Sequence, residues 1–110
     1  MSEPTLNYDA FIAALDDDTP PAAANMALRA LWYDANGNQD SAMRAARADD
    51  GLNCQRVRGY LHRKAGDEGK ARVAYWRAGL KPWDGAFEEE WQDILRAIMT
   101  EFPVASAYGA

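Results

Sequence analysis

The stretch Gly59–Gly79, GYLHRKAGDEGKARVAYWRAG, decides the fold. It reads as one helix, a break at Gly66-Asp67, and a second helix closed by Gly79. Moved back 29 positions without a gap, it lies over residues 30–50, ALWYDANGNQDSAMRAARADD. The breaks coincide, Asn36-Gly37-Asn38 against Ala65-Gly66-Asp67, as do Ala42 with Ala71 and Ala45 with Ala74. A small residue opens each copy, Ala30 and Gly59. A fixed period of this size marks stacked helical hairpins, in which each unit buries its apolar face on the next.

Outward from this core, the chain reads as helix throughout. Asn7 is expected to cap a short first helix with Phe11, Ile12 and Leu15 on one face. Asp16-Asp17-Asp18 sits badly at the negative end of that helix and is better placed ahead of the next. Thr19 followed by Pro20-Pro21 predicts a helix start there, running to about Ala35. Its stripe is Ala24, Ala27, Leu28, Leu31, Trp32 and Ala35. Asn38 caps a helix with Ala42, Ala45 and Ala46 inward, and Asn53 is expected to cap one with Cys54, Val57 and Leu61 inward. Asp67 caps the helix of Ala71, Ala74, Tyr75 and Ala78. Phe87, Trp91, Ile94, Leu95, Ile98 and Phe102 then form the strongest amphipathic stripe, closed by Pro103. This last helix, 86–102, is expected to cover the open end of the stack, with a loose tail over 103–110. Val, Ile and Thr are few and alternation is absent, so no strand is predicted.

The hairpin pattern resembles the tetratricopeptide family. The second copy carries that family's small residue at Gly59, its turn at Gly66-Asp67, then Ala71, Tyr75 and Ala78, with Pro82 near the closing proline. The first keeps Ala30, Tyr33, Gly37-Asn38 and Ala42 but has Ala46 at the aromatic position and Asp49 at the last alanine. The family usually repeats every 34 residues or so, so the shorter period implies a trimmed second helix and loop in copy one. The resemblance covers about residues 26–82, and YLHRKAGD…YWRAG also resembles a set of short bacterial proteins. It implies an all-α, right-handed stack of about six helices. Repeats at about 22–50 and 53–82 lie between N-terminal and C-terminal capping helices in one domain, 1–110.

Composition narrows the function. A chain of 110 residues supports one small core, and 48% apolar content is that of a folded domain. No apolar run approaches the length of a membrane span, and MSEPTLNYDA lacks the regions of a secretory signal. The single Cys54 excludes an internal disulfide and agrees with a reducing compartment, so the expected location is cytoplasmic. A net charge of −5 argues against general nucleic-acid binding.

Catalytic signals are absent. There is no phosphate loop, nucleophile elbow or metal motif, and no cofactor is implied. His62 is the single histidine, eight residues from Cys54. On one helix that places them roughly 12 Å apart along the axis, too far for a nucleophile pair. By resemblance His62 takes the place of a tyrosine packed between helices. Glu88-Glu89-Glu90 reads as a solvated helix start favoured by the dipole. The tryptophans read as packing residues, with Trp83, in a Pro-Gly loop outside any stripe, as the partly exposed exception.

Charge is the informative feature. Residues 53–81 hold eight of the twelve Lys and Arg against Asp67 and Glu68, while the rest of the chain holds four basic against fifteen acidic residues. Internal complementarity is one reading of this polarity, each surface pair contributing little. The family resemblance supplies the other: first helices line a concave groove for an extended peptide. The positions it carries over are Asn53, Arg56, Tyr60, Arg63 and Lys64, a basic stripe suited to an acidic segment or a C-terminal carboxylate. The counterpart in copy one, Ala24, Ala27, Leu31, Asp34 and Ala35, is mostly apolar. The expected function is thus a non-catalytic module that binds a protein or peptide. Two alternatives stand beside it: a small enzyme or ligand-binding protein with a pocket around Arg58, His62 and Tyr75, and a structural subunit that self-associates as a homodimer.

Overall fold

Six helices and no strand make up residues 6–99, the part of the chain described by a computed structural model. They are α1 (Tyr8–Ala14), α2 (Met26–Ala35), α3 (Gln39–Ala46), α4 (Leu52–Lys64), α5 (Glu68–Arg77) and α6 (Phe87–Met99). The closest helix pairings are α2 with α3 and α4 with α5. Phe102, Pro103 and the tail expected over 103–110 lie outside the described residues.

The 29-residue offset reappears in the geometry of the two turns. Gly37 and Gly66 both have positive φ, 78° and 82°, which glycine adopts without steric cost. Asn38 N–H donates to the Tyr33 carbonyl and Asp67 N–H to the His62 carbonyl, both at 2.9 Å. The Asn38 side chain then accepts from Ser41 N–H and that of Asp67 from Lys70 N–H, both at 3.1 Å. Each turn therefore satisfies the carbonyls of one helix and the amides of the next with the same bonds. At Gly79 (φ 74°) α5 ends in the same way, with Leu80 N–H donating to the Tyr75 carbonyl at 2.9 Å.

Two helix starts differ from the sequence expectation. Helix α2 begins at Met26, because the Asn25 side chain accepts from Leu28 N–H at 2.9 Å. Pro20-Pro21 instead leads into a turn closed by Ala24 N–H to the Pro21 carbonyl, and the Arg29 guanidinium donates to the Ala24 and Ala22 carbonyls. Helix α4 begins at Leu52 after Gly51, with no side-chain cap, so Asn53 lies inside its first turn.

The core is continuous. Phe11, Leu28, Leu31, Trp32, Val57, Tyr60, Leu61, Ile94, Leu95 and Ile98 share it with small residues Ala30, Ala42, Ala46 and Cys54. Trp32 Nε1 donates to the Ala14 carbonyl at 2.8 Å, fixing the end of α1 against α2. Gly59 permits close approach of α5: a Cβ there would stand 3.0 Å from the Tyr75 ring.

Helix α6 is seated on the hairpins by its apolar face. It packs on α4, α2 and α1, across the first helices of both hairpins, and meets α5 through the Tyr75 side chain. Trp91 Nε1 donates to the Leu31 carbonyl at 3.1 Å, and its ring lies 6.2 Å from that of Phe11. An amphipathic stripe as long as that of α6 needs an apolar seat, and α2 and α4, with which it shares the core, supply one. The outer face of α5 is consequently left uncovered.

Candidate functional site

Helix α4 organises the charge of the molecule, and its two sides behave differently. The inner side carries Arg56, Tyr60, Arg63 and Lys64, as the spacing predicts. Each cation there has an internal partner. Arg56 pairs with Asp93 of α6, Arg63 with Glu90 of α6 at 3.1 Å, and Lys64 with Asp34 of α2 at 2.8 Å. Tyr60 donates to Asp34 at 2.6 Å, and Gln39 donates to the same carboxylate at 2.8 Å. Of the two readings of the charge polarity, these pairs support internal complementarity: acidic residues of α2 and α6 neutralise the cations of this stripe. Asn53 sits one turn earlier, beside a hollow with Asn25, Ala27 and Leu52.

Glu90 departs from the sequence expectation. The acidic run at the start of α6 is solvated at Glu88 and Glu89, but the Glu90 side chain is only 1% exposed. It accepts from the Tyr75 hydroxyl at 2.6 Å and from Arg63, whose guanidinium also covers the Phe87 ring at 4.2 Å. Burial pushes the Glu90 carboxyl above its ordinary value, against the opposing pull of Tyr75 and Arg63. A legible signal existed, since Glu90 stands three residues after Phe87 and four before Ile94, on the apolar stripe. Asp34, three after Leu31, carries the same signal.

On the inner side a hollow of about 370 Å³ remains open, lined by Asp34, Tyr60, Lys64, Phe87, Glu88 and Trp91 among others. Two carboxylates line it as well as one lysine, so it offers an acidic partner little.

The outer side of α4 carries Arg58 and His62. Arg58 is a strut: it donates to the Ala46 carbonyl at 2.7 Å, the Asp49 carbonyl at 2.8 Å and the Asp50 carboxylate at 2.9 Å. It thereby closes the C-terminus of α3. His62 is half-buried, and burial holds its pKa below the ordinary histidine value. Tyr75 does not join these two; it points to Glu90 on the other side. The trio Arg58, His62 and Tyr75 is thus not assembled into one pocket.

What Arg58 and His62 do line is an open cleft of about 510 Å³ between α3, α4 and α5. Its other walls are Arg47, Gln55, Asp67, Gly69, Lys70, Val73, Ala74 and Arg77. Four cations and a histidine face one carboxylate. Asp67 is committed to capping α5 and lies 3.8 Å from Lys70, and Arg58 is held by its carbonyls. Arg47 and Arg77 have no ion-pair partner among the described residues. Sequence reading weighed the cations of α4 and missed this convergence, because Arg47 lies beyond α3 and enters only through packing.

The cleft offers cations without a nucleophile. Cys54 is buried elsewhere, its thiol pushed up to about 12 by burial and by Asp49. Among the described residues no three His, Cys, Asp or Glu side chains converge as metal ligands. No helix among the described residues is long and apolar enough to cross a membrane. No protein-family model matches the chain, nor does any curated protein or solved structure.

Proposed function

We propose that this protein is a non-catalytic interaction module, tetratricopeptide-like in its hairpins, that binds an acidic segment of a partner protein. The two hairpins would stack in the right-handed sense of that family, a reading supported by the identical turns 29 residues apart. The binding site is the outer cleft rather than the inner groove, where α6 takes the place of a ligand. The observation that carries this is the convergence of Arg47, Lys70 and Arg77 on an open cleft with the single carboxylate of Asp67. Cations held on rigid helices without full internal pairing attract carboxylates at little cost in reorganisation.

The test is a binding titration with two fluorescein-labelled peptides, one rich in Glu and one its Lys counterpart. Arg47→Gln with Arg77→Gln should weaken the Glu peptide at least about tenfold and leave the fold intact, and added salt should act likewise. Equal binding of both peptides, or a double variant that binds like wild type, removes the reading.

A further inference from the structure

The outer face of α5 carries an apolar stripe with no internal use. Val73, Trp76 and Leu80 follow one another at intervals of three and four, so they line one side of the helix and its C-terminal turn. Their exposures are 48%, 77% and 42%. Tryptophan is seldom left so open to water, and three such residues in a row are a surface rather than scattered exposure. The hairpin itself does not call for them. In the first copy, 29 residues earlier, Val73 and Trp76 correspond to Arg44 and Arg47, both exposed, and that hairpin closes equally well.

The stripe borders the basic cleft. Val73 is part of the cleft wall, and Lys70 and Arg77 flank it, each about one turn away on the same helix. Arg72 and Lys81 add exposed positive charge around it, against Glu68. A second copy docked about a two-fold axis would set these cations against their own images, since such an interface opposes one patch to itself. An apolar partner surface rimmed with carboxylates meets no such repulsion. The molecule holds an instance of this chemistry: α6, with Trp91, Ile94, Leu95 and Ile98 on one face and Glu90 and Asp93 beside them, is what binds the basic inner side of α4.

We infer that the partner segment is an acidic amphipathic helix that lies along α5, its apolar face on Val73, Trp76 and Leu80 and its carboxylates on Lys70, Arg77 and Arg47. This rests on the outer cleft being the binding site and names what that site takes. Trp76 is the central anchor, because a large aromatic loses the most water-exposed apolar area on contact. A nucleic acid could also stack on Trp76, but the acidic remainder of the chain opposes a polyanion.

The experiment compares two labelled peptides of one Leu/Glu composition. One has Leu at helical i, i+3, i+4 and i+7 spacing, and the other is scrambled to break the stripe. The helical peptide should bind at least about tenfold tighter than its isomer. Trp76→Ala should remove that advantage while leaving the melting temperature unchanged, because Trp76 is 77% exposed and contributes little to the core. Arg47→Gln with Arg77→Gln should weaken both peptides. If both isomers bind equally and Trp76→Ala changes neither, the amphipathic-helix inference falls while the basic cleft stands. Should neither peptide bind, both readings fall. Two further results would overturn the inference: concentration-dependent mass in sedimentation abolished by Trp76→Ala, which makes the occupant a second copy, and Trp76-dependent binding of a labelled oligouridine tighter than that of the helical peptide.

Discussion

The Tyr75 hydroxyl donates to Glu90 Oε2 at 2.6 Å, joining α5 to α6 through a carboxylate closed off from water. The same carboxylate receives Arg63, so three helices meet on one acidic group. Removing it leaves a guanidinium and a phenol without their acceptor, and a broken buried pair costs about 3–5 kcal/mol. Glu90→Ala should show that loss in urea unfolding. Glu90→Gln, which keeps an acceptor for Tyr75, should lose less. Equal loss in both would mean the charge, not the hydrogen bond, carries the interaction.

The same group sets a pH dependence. Its carboxyl is held above the ordinary 4.5 by burial. A raised native value means the folded protein takes the proton more readily than the unfolded chain. The contribution of Glu90 to stability is therefore complete below the unfolded value and is lost as pH rises through the native one. Glu90→Gln carries no such proton. The stability of wild type relative to Glu90→Gln should fall as pH rises from about 4 and then level off. A difference that grows with pH would mean that Arg63 and Tyr75 outweigh burial.

The inner cations should rank by the burial of their partners. Asp34 and Glu90 are 2% and 1% exposed, whereas Asp93 is 53% exposed. Arg63→Gln and Lys64→Gln should each cost about 2–4 kcal/mol, since each takes the cation from a buried carboxylate and leaves it only neutral donors, Tyr75 on Glu90 and Tyr60 with Gln39 on Asp34. Arg56→Gln should cost under about 1 kcal/mol, the range of a solvent-facing pair. A triple variant as stable as wild type would contradict the internal pairing.

Two glycines of the central stretch should fail for different reasons. Gly66→Val meets no neighbour, so its cost of about 1–3 kcal/mol is the backbone's, from a φ of +82°. Gly59→Ala should cost a similar amount, about 1–3 kcal/mol, by pushing on the Tyr75 ring. In double-mutant cycles Tyr75→Leu should relieve Gly59→Ala and leave Gly66→Val unchanged.

Cys54 should be silent in the native state. The residue is 2% exposed and its thiol is held up to about 12, so little thiolate forms near neutrality. A thiol reagent should label it at a rate that tracks unfolding as urea is raised. Labelling that ignores urea would indicate local opening of α4.

Truncation before α6 should leave no folded domain. Ile94, Leu95 and Ile98 are buried, and their loss would bare α2 and α4 and strand Arg63 and Tyr75. A truncated chain that stays folded and monomeric would make α6 an appendage.

Local signals were enough for the helices and turns. Asn7, Asn38 and Asp67 cap where the sequence places them, and Gly37, Gly66 and Gly79 turn the chain as their positions imply. Capping bonds and positive φ are settled within four or five residues, so a linear reading captures them. Asn25 was missed because Pro20-Pro21 is the louder start signal, and only the Leu28 bond shows which one the helix uses. The division of the chain into an acidic and a basic part was equally legible, since it is a count. Which cations remain available was not. Arg56, Arg63 and Lys64 look like a binding stripe until α6 and Asp34 reach them across 37, 27 and 30 residues of sequence. Conversely, Arg47 joins Lys70 and Arg77 only when α3 and α5 pack around α4. Caps and turns are decided by neighbours along the chain, whereas charge pairing and the free face of α5 are decided by which helices α6 packs on.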